Sequence, residues 1–299
     1  PRRLVRRSLD VARRRTVITG IADADGAIRV VAIDHRDSLR VLLSPEHPAA
    51  ISAAEITALK IDVVAALASR ASGVMLEPEY SVPQVPNSGV LPDGVGFTVA
   101  LEDQGYLADP GARPTRVMPG WSVAATVASG AAAAKLLVPY RPGAPLAGAQ
   151  EDLARAVAAE CVALNLPLVL EPLLYGVDDD EHIALLLETV ARFAPMEAAL
   201  LKLPFPGRGR ATSPVAAAAA CEEITERCPM PWAVLSGGGT FESFEAQMIV
   251  ARRAGCSGFM VGRALWGDAI GVPASDRCDL LVRVVAPRLE RLGDIVRGR

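Results

Sequence analysis

Of the 31 basic residues in this 299-residue chain, all but Lys60, Lys135 and Lys202 are arginines. Arginine and lysine serve alike as surface cations, but only an amine can give up its proton and attack a carbonyl carbon. Codon bias that spared a few lysines is the plain alternative, and position decides between the two. Lys135 stands in Ala134-Lys135-Leu136-Leu137-Val138 and Lys202 in Leu200-Leu201-Lys202-Leu203-Pro204. A charge inside such apolar runs is costly unless it is paired or used. If the two amines share one desolvated site, burial and mutual repulsion lower the pKa of Lys202, and the amine can then form a Schiff base. Lys60 falls in a long helical pattern and reads as a surface residue.

Carboxylates and glycines recur at matching places. Asp34, Glu77 with Glu79, Glu102 and Glu171 end or follow apolar runs. Glu171 is placed either to move protons for a neighbouring amine or to neutralise Lys135 or Lys202, and these roles are compatible. Asp34 either meets a substrate hydroxyl, or anchors Arg36 or Arg40, or caps the next helix. Ser236-Gly237-Gly238-Gly239 and Gly262-Arg263 offer backbone N–H groups and a guanidinium to a phosphate, with a tight turn as the simpler reading of the glycines. Phe205-Pro206-Gly207-Arg208-Gly209-Arg210 is a basic loop directly after Lys202, open to a second anion or simply solvated.

The elements that must position these residues form a regular series. Eight short apolar runs start at Val30, Gly73, Gly96, Lys135, Leu168, Leu200, Trp232 and Gly258, with a mean spacing of about 33 residues, one β-α unit. Helical patterns lie between them, at 53–69, 151–164, 182–193, 214–227 and 241–254. Strands this apolar need cover on both faces. Eight such units in one chain predict an α/β fold, a single (β/α)8 barrel over residues 1–299. An open doubly wound sheet is the rival, but Asp34-His35-Arg36-Asp37 is unlike its glycine-rich first turn. In a barrel, active-site groups sit at the C-terminal strand ends, where the residues above fall. Trp121, Trp232 and Trp266 read as core or mouth packing.

Composition narrows the function. The formal net charge is −3, which gives no general attraction for nucleic acid or membrane. No apolar run reaches the ~18 residues of a membrane span. Five cysteines without a C-x-x-C pair fit a reducing cytoplasm, and three scattered histidines make an ordinary zinc site unexpected, so neither metal nor cofactor is predicted. Seven arginines within residues 1–15 suggest an extra amphipathic N-terminal helix or a basic arm, without the apolar stretch of a secretory signal.

The motifs together resemble the class I aldolase family that contains tagatose-1,6-bisphosphate aldolase and sulfofructosephosphate aldolase. The resemblance runs from about residue 16 to 296. It rests on Ala32-Ile33-Asp34-His35-Arg36, Leu76-Glu77-Pro78-Glu79-Tyr80, Leu170-Glu171-Pro172, Leu201-Lys202-Leu203-Pro204 and the stretches 230–236 and 258–266. It implies a Schiff base on Lys202, acid/base work by Glu171, and Asp34 and Lys135 lining the site. Ser236, Gly237, Gly238, Gly262 and Arg263 would contact an anion, with His35 and Arg208 as further substrate contacts. The implied reaction is cleavage of a phosphorylated ketose to dihydroxyacetone phosphate and a three-carbon aldehyde. The seventh-strand region and the tail 286–296 are nearest the sulfosugar branch, and relatives of this kind are often oligomeric. Two residues depart from the family: His35 stands where Gln is common, and Pro204 where Glu is common. Both put the far end of the substrate in question. A phosphosugar isomerase on the same barrel, or a sugar-phosphate sensor, would leave the pairing of scarce lysines unexplained.

Overall fold

The computed structural model describes residues 18–105, 110–207 and 213–298. Eight parallel strands close into one barrel in sequence order: β1 Ile28–Ala32, β2 Gly73–Leu76, β3 Phe97–Ala100, β4 Ala133–Tyr140, β5 Leu168–Leu174, β6 Leu200–Pro204, β7 Trp232–Leu235 and β8 Gly258–Val261. The predicted (β/α)8 barrel is thus the observed fold. Arg208 and the expected N-terminal helix at 1–15 lie outside the described residues.

Eleven helices surround the described barrel: α1 Asp37–Leu43, α2 Ala53–Leu67, α3 Gln84–Asn87, α4 Val123–Ala128, α5 Ala147–Ala163, α6 His182–Phe193, α7 Pro214–Arg227, α8 Phe241–Arg253, α9 Arg263–Trp266, α10 Ala274–Leu280 and α11 Ala286–Arg297. Local chemistry sets their starts. Ser52 and Glu55 form a reciprocal capping box at the head of α2. Ser213 caps α7 with Pro214 in its first turn, and Thr240 caps α8. In α6, Leu186, Val190 and Phe193 recur at helical spacing and are buried.

The period-two alternation of a strand divides the core in two. Outward residues such as Val31, Leu136, Leu170, Leu201 and Val234 pack against the helices. Inward residues Ile28, Val30, Met75, Ala133, Val169, Leu200, Ala233 and Met260 fill the barrel, with Ile18 and Ile21 joining them from the chain before β1. The same alternation carries the inner rows upward: Ala133 is followed on its face by Lys135, Val169 by Glu171, and Leu200 by Lys202. The small and aliphatic lower layers therefore seal the barrel and leave charged side chains at its C-terminal mouth.

Candidate active site

A cavity of about 450 Å³ opens at that mouth, a volume suited to a small ligand. Asp34, His35, Lys135, Glu171, Lys202, Ser236, Gly237, Gly238, Gly262 and Arg263 all line it. Every described site residue expected from the sequence is therefore brought to one place.

Five charged groups meet at its floor. Lys135 Nζ donates to Asp34 Oδ2 at 2.9 Å and to Glu102 Oε1 at 2.5 Å, and lies 3.1 Å from Glu171 Oε2. Lys202 Nζ donates to the same Glu171 oxygen at 2.9 Å and touches Met75 Sδ at 3.8 Å. One carboxylate oxygen thus serves both amines, and burial strengthens each of these contacts. The Asp34 carboxyl feels two opposed effects. Burial raises its pKa, but the positive charges of Lys135 and Lys202 and the hydrogen bond from Lys135 outweigh it, so the group stays ionised well below the usual carboxylate range.

Glu102 is the participant to which the sequence assigned no role. Its second oxygen accepts the Leu137 N–H at 3.0 Å, which fixes the carboxylate between β3 and β4. Its carbonyl accepts from the buried Arg36 guanidinium at 2.6 Å. The sequence signal was its place at a strand end, two residues past Ala100, the register partner of Lys135.

Lys60 is a correction. It is not a surface residue but wholly buried, with Nζ 2.5 Å from an equally buried Glu77. Glu77 also accepts from Ser81 Oγ and from the backbone N–H groups of Glu79 and Tyr80. This pair braces the turn after β2 and lies outside the cavity lining. Trp232 and Trp266 are core residues, and Trp121 is partly buried.

The opposite wall is built by the loops after β7 and β8. After β7, Gly237 and Gly238 adopt positive φ (57° and 81°), a conformation that favours glycine. The Gly239 N–H turns back to the Ser236 carbonyl at 3.2 Å. Arg263, at the start of α9, is exposed and lies across Gly238, where a Cβ would stand 3.4 Å from its Nη2. The glycine backbone and a guanidinium thus line one side of the cavity. His35 stands between the two walls. Its Nδ1 is 3.9 Å from Asp34 Oδ1, and its ring meets Trp266 edge-on at 5.2 Å. Burial, then the charges of Arg263, Lys60 and Lys202, lower its pKa to about 3 against the pull of Asp34, so the imidazole is neutral. Among the described residues, no group of three or more His, Cys, Asp or Glu side chains is arranged to hold a metal ion.

The chain resembles known proteins in sequence and in fold. The sequence pattern of the DeoC/LacD family aldolases matches residues 28–268, the whole barrel. The chain belongs to this family. It is an aldolase, a carbon–carbon lyase. Tagatose 1,6-diphosphate aldolase of Streptococcus agalactiae serotype V is 27% identical over 275 residues, covering 84% of each chain. Fructose-bisphosphate aldolase of Plasmodium falciparum superposes with a TM-score of 0.71 at 16% identity, over 95% of this chain and 93% of that one. An archaeal fructose-1,6-bisphosphate aldolase, solved with its catalytic Lys covalently bound to the carbinolamine intermediate, superposes with a TM-score of 0.62 at 17% identity, over 93% and 97%. These two structural likenesses concern the fold. No described helix is long and apolar enough to cross a membrane.

Proposed function

We propose that the DeoC/LacD aldolase chemistry of this chain runs on Lys202 and cleaves a phosphorylated ketose to dihydroxyacetone phosphate and a three-carbon aldehyde. The observation that carries this reading is the unequal setting of the three buried amines. Lys60 is locked to Glu77 away from the cavity. Lys135 is held by three carboxylates, which keep its proton in place. Lys202 lines the cavity with one carboxylate partner, Glu171, that can take its proton.

In this scheme Glu171 takes a proton from Lys202, the neutral amine attacks C2 of the ketose, and Glu171 passes that proton to the C2 alkoxide. Glu171 then takes a second proton from the attached nitrogen and gives it to the C2 hydroxyl, which leaves as water as the nitrogen lone pair forms the iminium. The C3–C4 bond then breaks, its electron pair moves into the iminium, and the C4 hydroxyl becomes the aldehyde as Glu171 takes the proton. Protonation of the enamine at C3 and hydrolysis release dihydroxyacetone phosphate and restore the amine. Lys135 supplies a fixed positive charge beside the reacting oxygens. Ser236, Gly237, Gly238, Gly262 and Arg263 hold the phosphate at C1, and Asp34 and His35 face the sugar hydroxyls. Arg208 is assigned to the second anion from its place in the basic loop after β6.

Two substrates suit this reading, tagatose 1,6-bisphosphate and 6-deoxy-6-sulfofructose 1-phosphate. The curated relatives bear the first name, whereas the resemblance of the seventh-strand region and the tail favours the second. The free cysteines fit action in the cytoplasm. The deciding experiment is borohydride reduction in the presence of dihydroxyacetone phosphate, followed by peptide mapping. The expected adduct is on Lys202; an adduct on Lys135, or none while the ligand binds, would overturn the assignment.

A further inference from the structure

The proposed reaction fixes the direction of the far end of the ketose. With C2 on Lys202 and the C1 phosphate toward the loops after β7 and β8, the rest of the chain passes Glu171 and Lys135 and leads away from that wall. In a closed barrel of eight strands in sequence order, the ends of β3 and β4 stand across the mouth from β7 and β8. Beyond the charged floor, the next inward residues of β4, β5 and β6 are Leu137, Leu173 and Pro204, each two past Lys135, Glu171 or Lys202. They offer an anion no partner. Away from the β7–β8 wall, polar lining returns beyond the floor at Gln104, past β3.

Gln104 belongs to a strap whose arms are residues 101–105 and 110–118. The arms pair through the Met118 N–H to the Leu101 carbonyl at 2.8 Å and the Asp103 N–H to the Arg116 carbonyl at 2.9 Å. Gln104 Oε1 accepts the Asp37 N–H at 3.2 Å, which seats it at the lip. Arg113 Nη2 donates to the Gln104 carbonyl and lies over Gly105, where a Cβ would stand 3.2 Å from it.

The charge of Arg113 is poorly matched. Its carboxylate neighbour among the described residues is Asp103, with Oδ2 at 3.7 Å. That same oxygen is already held by Arg116, through Nε and Nη2 at 2.7 Å each. Two guanidiniums share one carboxylate, so the strap carries net positive charge, and Arg113, with a side chain 38% exposed, has the weaker share. The other cations near this lip are committed. Arg36 is buried and donates to the Glu102 carbonyl and to Met118 Sδ. Arg141 has Glu181 at 3.7 Å and donates to the Gly176 carbonyl. We propose that Arg113 is a specificity-determining residue: with Gln104 it binds the terminal anion, phosphate or sulfonate, on the aldehyde half of the ketose. A guanidinium fork matches two oxygens of either group. This rests on the proposed reaction and gives the second anion a contact on the strap in addition to Arg208.

Wild type, Arg113→Met, Arg113→Lys and Arg208→Met are compared in the synthetic direction, with dihydroxyacetone phosphate saturating. The varied aldehyde is D-glyceraldehyde 3-phosphate, sulfolactaldehyde or uncharged D-glyceraldehyde, and thermal melts check folding. Loss of a charged contact predicts that KM for the anionic aldehydes rises about tenfold or more in Arg113→Met, while KM for D-glyceraldehyde and kcat stay within about twofold. Arg113→Lys keeps the charge without the fork and falls between. The anion with the lower wild-type KM identifies the group as phosphate or sulfonate. An equal rise for all three aldehydes means that Arg113 only holds the strap, and overturns the inference. So does a KM for both anions within about twofold of wild type in Arg113→Met, or a preference for the anions that Arg208→Met abolishes and Arg113→Met leaves intact. A wild type that forms the Lys202 adduct but prefers neither anion to D-glyceraldehyde overturns it as well. If wild type yields no borohydride-trapped adduct on Lys202, the proposed reaction itself fails and this inference falls with it.

Discussion

Replacing Lys135 with methionine tests the charge arrangement at the barrel mouth most directly. The amine is 2% exposed and lies within 2.5–3.1 Å of carboxylate oxygens from Asp34, Glu102 and Glu171. Methionine keeps the length and removes the charge, which leaves three carboxylates facing Lys202 alone. Breaking a buried ion pair by deleting one partner costs about 3–5 kcal/mol. For a chain of 299 residues each kcal/mol lowers Tm by about 1.6 °C, so a fall of about 5–8 °C is expected at neutral pH. The deficit also has a pH signature. In the wild type, Asp34 is ionised well below its ordinary 3.8, so its contribution is present at neutral pH and is lost only as pH falls below 3.8. In the variant the foremost lowering influence is gone while burial still raises the carboxyl, so protonation comes at higher pH and relieves the repulsion. Thermal melts at pH 8, 6.5 and 5 should show the gap to wild type narrowing toward acid. A deficit under about 1 kcal/mol, or one that widens on acidification, refutes this account of the site.

Lys60→Met should cost a similar ~3–5 kcal/mol, read from denaturant melts, because Glu77 loses the charge it is buried against. The borohydride adduct on Lys202 should survive in its folded fraction, and loss of the adduct would tie Lys60 to the chemistry. Arg263→Met removes a charged contact worth about 1.5–3 kcal/mol, so KM for a phosphorylated donor should rise about tenfold or more while unphosphorylated dihydroxyacetone is little affected. Equal effects on both donors would move the phosphate elsewhere. His35→Gln should flatten the stability–pH curve between 3 and 6.5. There the unfolded imidazole binds a proton that the folded one refuses, so wild-type stability falls toward acid by up to about 1.4 kcal/mol per pH unit. An unchanged slope in the variant would mean that His35 is not buried as described.

Much of this could be read from the sequence because strands alternate by two. Once Leu200, Ala133 and Val169 are taken as inward, Lys202, Lys135 and Glu171 must follow them on the same face, and a closed barrel turns that face into one site. Lys60 shows where such reading stopped short. It shares a stripe of α2 with Ile56, Val63, Val64 and Leu67, all buried, so the helical period did mark it as inward. What the period could not supply was the partner, since Glu77 approaches from the turn after β2, seventeen residues on. Glu102 was hidden for the same reason. Its bond to Lys135 is made across the β3–β4 register, and register is set by barrel closure rather than by either strand's own pattern. His35 could be seen as a departure from its relatives, but its packing against Trp266 and Gly262 is made across the barrel closure and no local pattern shows it.

The three lysines, taken together, explain why an arginine-rich chain retains them. Each is buried against a carboxylate from a barrel strand or from the turn just after one, and a compact ammonium is the cation suited to such a confined pocket. Burial alone does not make an amine a nucleophile, because a carboxylate partner favours the charged form. What separates Lys202 from the other two is the number of partners. Three carboxylates hold the Lys135 proton, and the Glu77 pair is closed off from the cavity. Glu171, shared at 2.9 and 3.1 Å between Lys202 and Lys135, can accept a proton from the first while the fixed charge of the second steadies it. On the proposed reading, then, Lys135 is not a spare nucleophile but the charge that lets Glu171 serve Lys202.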